Sequence, residues 1–321
     1  MPKVALVLGG GGLTGFAYIT TTLSVLQQLT GWDPRDADLI VGTSAGANMG
    51  AILRGGVPVE EALDGILALP TNPRSMERLR ELSGREGAAR STALVPTSAK
   101  MLMREALRGP MLRPARLVTG ALPSGRIRTD TIGDRMIELL GEEWTDKPLY
   151  VTAVRLNDSE RVVFGLDRTD VPIGSAVEAS SSIPGYFRPV TIDGYAYVDG
   201  GVHSPTNADL TADGDFDLVV VVAPMSMDDY KTGLRLPNGP LRVFWRNQVN
   251  KEVEALREQG HQVLLLEPKL EEARAMGPTM MDPTRIVNVV MRTTNVSRAT
   301  LLESGSKASL DILRGKQKVK K

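Results

Sequence analysis

No cysteine occurs anywhere in the sequence, which removes disulfide frameworks, thiolate nucleophiles and cysteine-based zinc sites together. Redox compartment stays open, because a cysteine-free chain tolerates either state. Histidine is nearly as scarce. His203 and His261 are the only two among 321 residues, so a Ser-His-Asp triad would have to draw on one of them. Net charge is missing too: Lys+Arg and Asp+Glu both number 38, and the absence of a global field argues against nucleic acid as a partner. Any partner drawn by charge must meet a local patch. Long hydrophobic runs are likewise absent. The apolar stretch that closes at Leu8 is too short for a signal peptide or a membrane span, and no later stretch approaches about 18 apolar residues. The expectation is a soluble, cytoplasmic chain. No internal repeat is visible, and the length suffices to bury a substantial core in one large domain or two smaller ones.

What the chain does contain is organised around residues 38–47. Asp38-Leu39-Ile40-Val41 reads as a buried strand running into Gly42-Thr43-Ser44-Ala45-Gly46, and a helical pattern continues through Ala51, Ile52 and Leu53. A G-x-S-x-G between a strand and a helix is the nucleophile-elbow pattern. The small flanking residues, Gly42 and Gly46, let the backbone turn sharply and hold the serine hydroxyl outward. Ser44 is therefore a candidate nucleophile, and the plainer alternative is that it merely caps the helix.

Upstream, Val4–Leu8 reads as a strand buried on both faces, followed by Gly9-Gly10-Gly11-Gly12-Leu13-Thr14-Gly15 and a helix through Phe16, Ile19, Leu23 and Leu26. Together with the strand at Asp38 this makes a βαβ unit. Gly10-x-Gly12-x-x-Gly15 also matches the dinucleotide fingerprint, which needs an acid at the end of the second strand to bind ribose. Here Asp33, Asp36 and Asp38 precede that strand, and its end carries Gly42-Thr43-Ser44 instead. The same loop has another use. Consecutive glycines at a helix N-terminus leave backbone N–H groups of Gly10, Gly11 and Gly12 to receive the oxyanion of a tetrahedral intermediate.

Further along, Pro58 opens another helix to Leu69. Between Asn72 and Arg128, twelve Arg and Lys stand against four Glu, a local surplus of eight positive charges that the rest of the chain balances. This basic, methionine-containing 70–128 insertion reads as a solvated surface region, with a lid or a contact with an anionic bilayer as its functional alternatives. The α/β pattern resumes with a helix from Asp130 to Leu140, strands at 149–154 and 161–164, and a short helix at 175–181. A turn at Asp193-Gly194 leads into the strand Tyr195–Val198, which delivers Asp199-Gly200-Gly201 into a loop. Strands at 217–222 and 262–266 flank a helix at 241–259. The remainder is mainly helical to Leu313, and a basic tail, 315–321, ends the chain.

Three strings now combine: Gly10-Gly11-Gly12-Leu13-Thr14-Gly15, Gly42-Thr43-Ser44-Ala45-Gly46 and Asp199-Gly200-Gly201. Together they closely resemble the patatin-like phospholipases, as does the run from Ala179-Ser180-Ser181-Ser182 to Val190. The resemblance spans roughly residues 3 to 210. It implies a three-layer α/β/α sandwich around a mostly parallel sheet, with residues 1–314 as one acyl hydrolase domain. It also implies a Ser-Asp dyad in which Ser44 attacks an ester and Asp199 acts as general base, with the glycine loop as oxyanion hole. Gly15, Gly42, Gly46, Gly200 and Gly201 support the motifs, and no metal or organic cofactor is required. The expected substrate is a lipid or other acyl ester, cleaved by a phospholipase A, lysophospholipase or esterase type of reaction. The alternative is a non-catalytic nucleotide- or lipid-binding module. His203, close after Asp199, would convert the dyad to a triad. One departure stands out: the family usually carries Arg or Lys where this chain has Thr14, which puts recognition of an anionic head group in doubt. Oligomeric state is not legible.

Overall fold

The computed structural model describes residues 2–69, 97–107, 114–125, 127–228 and 236–315. Eight strands form one sheet: β1 (Val4–Leu8), β2 (Leu39–Gly42), β3 (Leu149–Arg155), β4 (Arg161–Phe164), β5 (Val190–Ile192), β6 (Tyr195–Asp199), β7 (Leu218–Val222) and β8 (Val263–Leu266). Hydrogen-bonded neighbours link in the chain β5-β6-β3-β2-β1-β7-β8, with β4 also paired to β3. The run β3-β2-β1-β7-β8 is parallel throughout, whereas β4 and β6 join β3 antiparallel and β5 joins β6 antiparallel.

The central strands are apolar along their whole length because both faces are covered. Val4, Leu6 and Leu8 point into one core with Ile40, Val220 and Val222, while Ala5 and Val7 point into a second with Val41, Val219 and Val221. On the first side lie α1 (Gly12–Thr30), α2 (Ala45–Arg54) and α3 (Val59–Ala68). They are joined there by α7 (Ile173–Ser180) and α10 (Ile286–Leu302). The second core takes Val249, Val253 and Leu256 from α8 (Gly239–Glu258). The remaining helices are α4 (Ala99–Ala106), α5 (Pro114–Ala121), α6 (Asp130–Leu140), α9 (Leu270–Met276) and α11 (Lys307–Leu313). This is the sandwich around a mostly parallel sheet that the sequence leads one to expect, with antiparallel strands at the β3 end.

Boundaries shift where polar residues take up orphan backbone groups. Asp38 and Asp217 stand just before β2 and β7 instead of inside them. Their carboxylates accept from the amides of Val4 and Lys3, at 2.7 and 2.8 Å, and so cap the start of β1. In α1, Thr20 and Thr21 return their hydroxyls to the carbonyls four residues back, both at 2.8 Å, which lets poor helix formers sit buried in its middle.

Of the basic insertion, 70–96, 108–113 and 126 lie outside the described residues, as does 316–321 of the tail. Among the described residues, no helix is long and apolar enough to cross a membrane.

One detail of register positions the site. β2 pairs with residues 149–151 of β3, β6 with 153–155, and β4 with 151–154. A strand has two edges, and β4 overlaps both of the others, so β2 and β6 share the opposite edge. They lie on it end to end. β2 runs parallel to β3 and β6 antiparallel, so their C-terminal ends converge, with Gly42 opposite Val151 and Asp199 opposite Ala153.

Candidate active site

At the end of β2 the chain turns through Ser44 with φ 54° and ψ −116°, a left-handed conformation that side chains rarely adopt. The flanking glycines are required by space. A Cβ at Gly42 would lie 2.5 Å from Ala47 Cα, and one at Gly46 would overlap the Leu8 carbonyl oxygen. Ser44 does not cap α2 with its side chain. Its amide donates to Ser180 Oγ at 2.9 Å. Its carbonyl accepts from the amide and the side chain of Asn48, at 3.1 and 3.0 Å. Asn48 Nδ2 also donates to Ser181 Oγ at 2.9 Å. The Ser180-Ser181 pair at the end of α7 thus braces the strained turn, a role that no sequence pattern had assigned to it.

Asp199 arrives from the other direction, at the end of β6. Its amide donates to the Ser182 carbonyl at 3.0 Å, and its Oδ1 accepts from the Gly201 amide at 2.7 Å. Gly200 lies directly on Thr152, where any Cβ would overlap the Thr152 hydroxyl. Ser44 and Asp199 are 4% and 6% exposed. Burial pushes the Asp199 carboxyl up to about 6, against hydrogen bonds from the Ser44 side chain and the Gly201 amide that pull it down. A carboxylate of that basicity, hydrogen-bonded to a strained serine, is equipped to take its proton near neutral pH.

The glycine loop flanks this pair, since a Cβ at Gly10 would sit 3.5 Å from Ser44 Cβ. Its amides are not equivalent. Gly10 donates to the Pro205 carbonyl at 2.8 Å, so its N–H is already engaged. The amides of Gly11 and Gly12 have no acceptor among the described residues, and neither has that of Ala45 at the first turn of α2. Gly15 serves packing: a Cβ at Gly11 would meet Gly15 Cα at 2.8 Å. Thr14 is fully buried, and both its amide and its hydroxyl donate to the Met280 carbonyl, at 2.9 and 3.3 Å. The place of the family's usual cation is therefore filled by a neutral contact with the C-terminal part of the chain.

The other candidates have partners of their own. Asp33 pairs with Arg35, and Asp38 caps β1, both at the N-terminal end of β2, where no ribose could be met from the glycine loop. Arg116 Nη2 lies 2.7 Å from His203 Nδ1. A guanidinium only donates, so in this contact the imidazole nitrogen is the acceptor. His261 Nε2 contacts the Ala212 carbonyl at 3.0 Å. Two surface hollows, one beside Trp144 and Val171 and one beside Arg35 and Arg54, are not lined by Ser44 or Asp199.

A family model described as patatin-like phospholipase matches residues 6–212. Curated relatives include the uncharacterized NTE family proteins Rv1063c of Mycobacterium tuberculosis and Mb1092c of Mycobacterium bovis. Each is 26% identical over 258 residues, covering 79% of this chain and 58% of the relative. The chain thus spans less than two thirds of the length of the relatives it matches. Among solved structures, VipD from Legionella pneumophila aligns at 15% identity with a TM-score of 0.45, over 94% of this chain and 66% of that one. The ExoU–SpcU complex of the Pseudomonas aeruginosa type III secretion system aligns at 18% identity with a TM-score of 0.39, over 98% and 58%.

Proposed function

The chain belongs to the patatin-like phospholipase family, and from that premise we propose that it is a lipid acyl hydrolase working through a Ser44–Asp199 dyad. The observation that carries this reading is the convergence of β2 and β6 on one edge of β3, which brings a strained serine to a buried carboxylate whose pKa lies near 6. Asp199 takes the proton of the Ser44 hydroxyl as Oγ attacks the ester carbonyl. The oxyanion is received by the amides of Gly11 and Gly12, with Gly10 shaping the loop through its bond to Pro205. Collapse of the tetrahedral intermediate breaks the ester C–O bond, and Asp199 returns the proton to the leaving alcohol. Water then attacks the acyl-serine with Asp199 again as base, releasing a carboxylic acid and restoring the hydroxyl.

The buried, neutral contact of Thr14 with Met280 favours an ester without an anionic group beside the glycine loop, that is, a neutral acyl ester. Residues 1–314 are read as one hydrolase unit. Peripheral membrane contact is part of the same proposal: α4 turns Lys100, Met103, Arg104 and Leu107, spaced as one helical face, to solvent, with Met103 64% and Leu107 81% exposed. Its opposite face buries Met101 against Val154, Val198 and Val202, beside the Asp199 loop.

Hydrolysis of short-chain nitrophenyl esters tests the dyad. Activity should be lost in Ser44→Ala and in Asp199→Asn while far-UV circular dichroism stays unchanged. Retention of full activity in Asp199→Asn, or its loss in a folded His203→Ala protein, would contradict the assignment.

A further inference from the structure

The segment after Asp199 folds back beneath the site, and one side chain in it touches both converging strand ends. Asn207 is fully buried, with φ 54° and ψ 37°. Its two Nδ2 hydrogens are shared among Thr43 Oγ1 at 3.0 Å, Thr152 Oγ1 at 3.2 Å and the Ser204 carbonyl at 2.9 Å, and its Oδ1 accepts from Arg161 Nη1 at 3.2 Å. Thr43 and Thr152 are themselves joined, Oγ1 to Oγ1, at 2.9 Å. Thr43 immediately precedes Ser44. Thr152 stands between the β3 positions that face Gly42 and Asp199, and Gly200 rests on it. The amide therefore grips the seam at which β2 and β6 abut.

We propose that Asn207 is the positioning residue that holds the Ser44 turn and the Asp199 turn in register for acyl transfer, acting through Thr43 on one and through Thr152 and Gly200 on the other. The residue type fits the task on two counts. Asparagine tolerates the left-handed backbone better than other non-glycine residues, and its amide supplies two donor hydrogens and an acceptor from one planar group. Its own loop is fixed from behind. Glu252 of α8 accepts from Thr206 Oγ1 at 2.7 Å and from the Ala208 amide at 2.9 Å, and Arg161 forks onto Asp209 at 2.7 and 2.8 Å. The same loop presents the Pro205 carbonyl to the Gly10 amide. One short segment thus touches the glycine loop, the nucleophile strand and the strand behind the base. Asn207 meets no reacting atom, so its effect is on geometry.

This inference rests on Ser44 being the nucleophile, and the test keeps the two apart. Asn207→Gly keeps the left-handed backbone and removes the amide; Thr43→Val removes one arm of the grip and serves if the first variant does not fold. Rates of fluorophosphonate labelling and of nitrophenyl ester hydrolysis are measured on wild type and both variants, scaled to the folded fraction from circular dichroism. The expected result is a 10- to 100-fold fall in kcat for Asn207→Gly with KM changed less than about twofold, and a smaller fall for Thr43→Val. The acid limb of the kcat/KM profile should also move to lower pH as water reaches the loosened carboxyl. Labelled wild type with folded variants reacting at the wild-type rate and pH profile overturns the role of Asn207. Unlabelled wild type overturns the nucleophile reading, and this inference with it.

Discussion

Gly46 packs so tightly against the end of β1 that a Cβ on it would overlap the carbonyl oxygen of Leu8, the same oxygen that accepts the Thr43 amide at 3.0 Å. The elbow is therefore pinned to the neighbouring strand through backbone alone. Gly46→Ala must push α2 away from β1, costing about 3 kcal/mol or more. The expected outcome is a midpoint of thermal unfolding lowered by about 5 °C or more, with loss of esterase activity, read by calorimetry and ester hydrolysis.

The backbone of Ser44 makes a contrasting prediction. Its left-handed conformation is strained for a serine and relaxed for glycine. Ser44→Gly should be inactive yet more stable than Ser44→Ala by about 1 kcal/mol in urea unfolding. Equal stability of the two variants would mean that the turn carries no strain.

Asp199 couples activity to pH and to stability with opposite consequences. Its carboxyl must be ionised to act as base, so kcat/KM should rise with pH through a midpoint near 6. Its folded pKa is raised above the unfolded value of 3.8, so between these values the folded state binds more protons than the unfolded. Stability is then full below about 4 and declines as pH rises through about 6. Asp199→Asn should accordingly gain up to about 3 kcal/mol over wild type at pH 8 and nothing at pH 4, measured by denaturant unfolding at both. A gain that is independent of pH would deny that the buried charge is the cause.

The exposed face of α4 predicts a lipid preference. The double change Met103→Ser and Leu107→Ser should weaken co-sedimentation with vesicles rich in phosphatidylglycerol, while hydrolysis of a soluble ester is retained. Wild type that binds neutral and anionic vesicles equally, or not at all, would remove this face from the account.

Much of this architecture is legible in the chain because glycines punctuate buried apolar runs. Val4–Leu8, the loop to Gly15 and the strand into Gly42 are local patterns, and folding leaves them where the sequence reading puts them. The contacts that complete the site are not local. Ser180 reaches Ser44 across 136 positions, Asn207 reaches Thr43 across 164, and Met280 covers Thr14 across 266. No periodicity reports which strands share an edge of β3, so the meeting of β2 and β6 appears only in the folded chain. The engagement of the Gly10 amide belongs to the same class, because its acceptor is the distant Pro205 carbonyl.

The central claim is that the Ser44 hydroxyl is a nucleophile activated by Asp199. Peptide mass spectrometry after exposure to a fluorophosphonate, at pH 7.5, tests it most directly. The account predicts a single phosphonyl adduct on the peptide containing Ser44, absent in Ser44→Ala and strongly slowed in Asp199→Asn. An unmodified Ser44 peptide from folded protein, or an adduct on another serine that survives in Ser44→Ala, would contradict it.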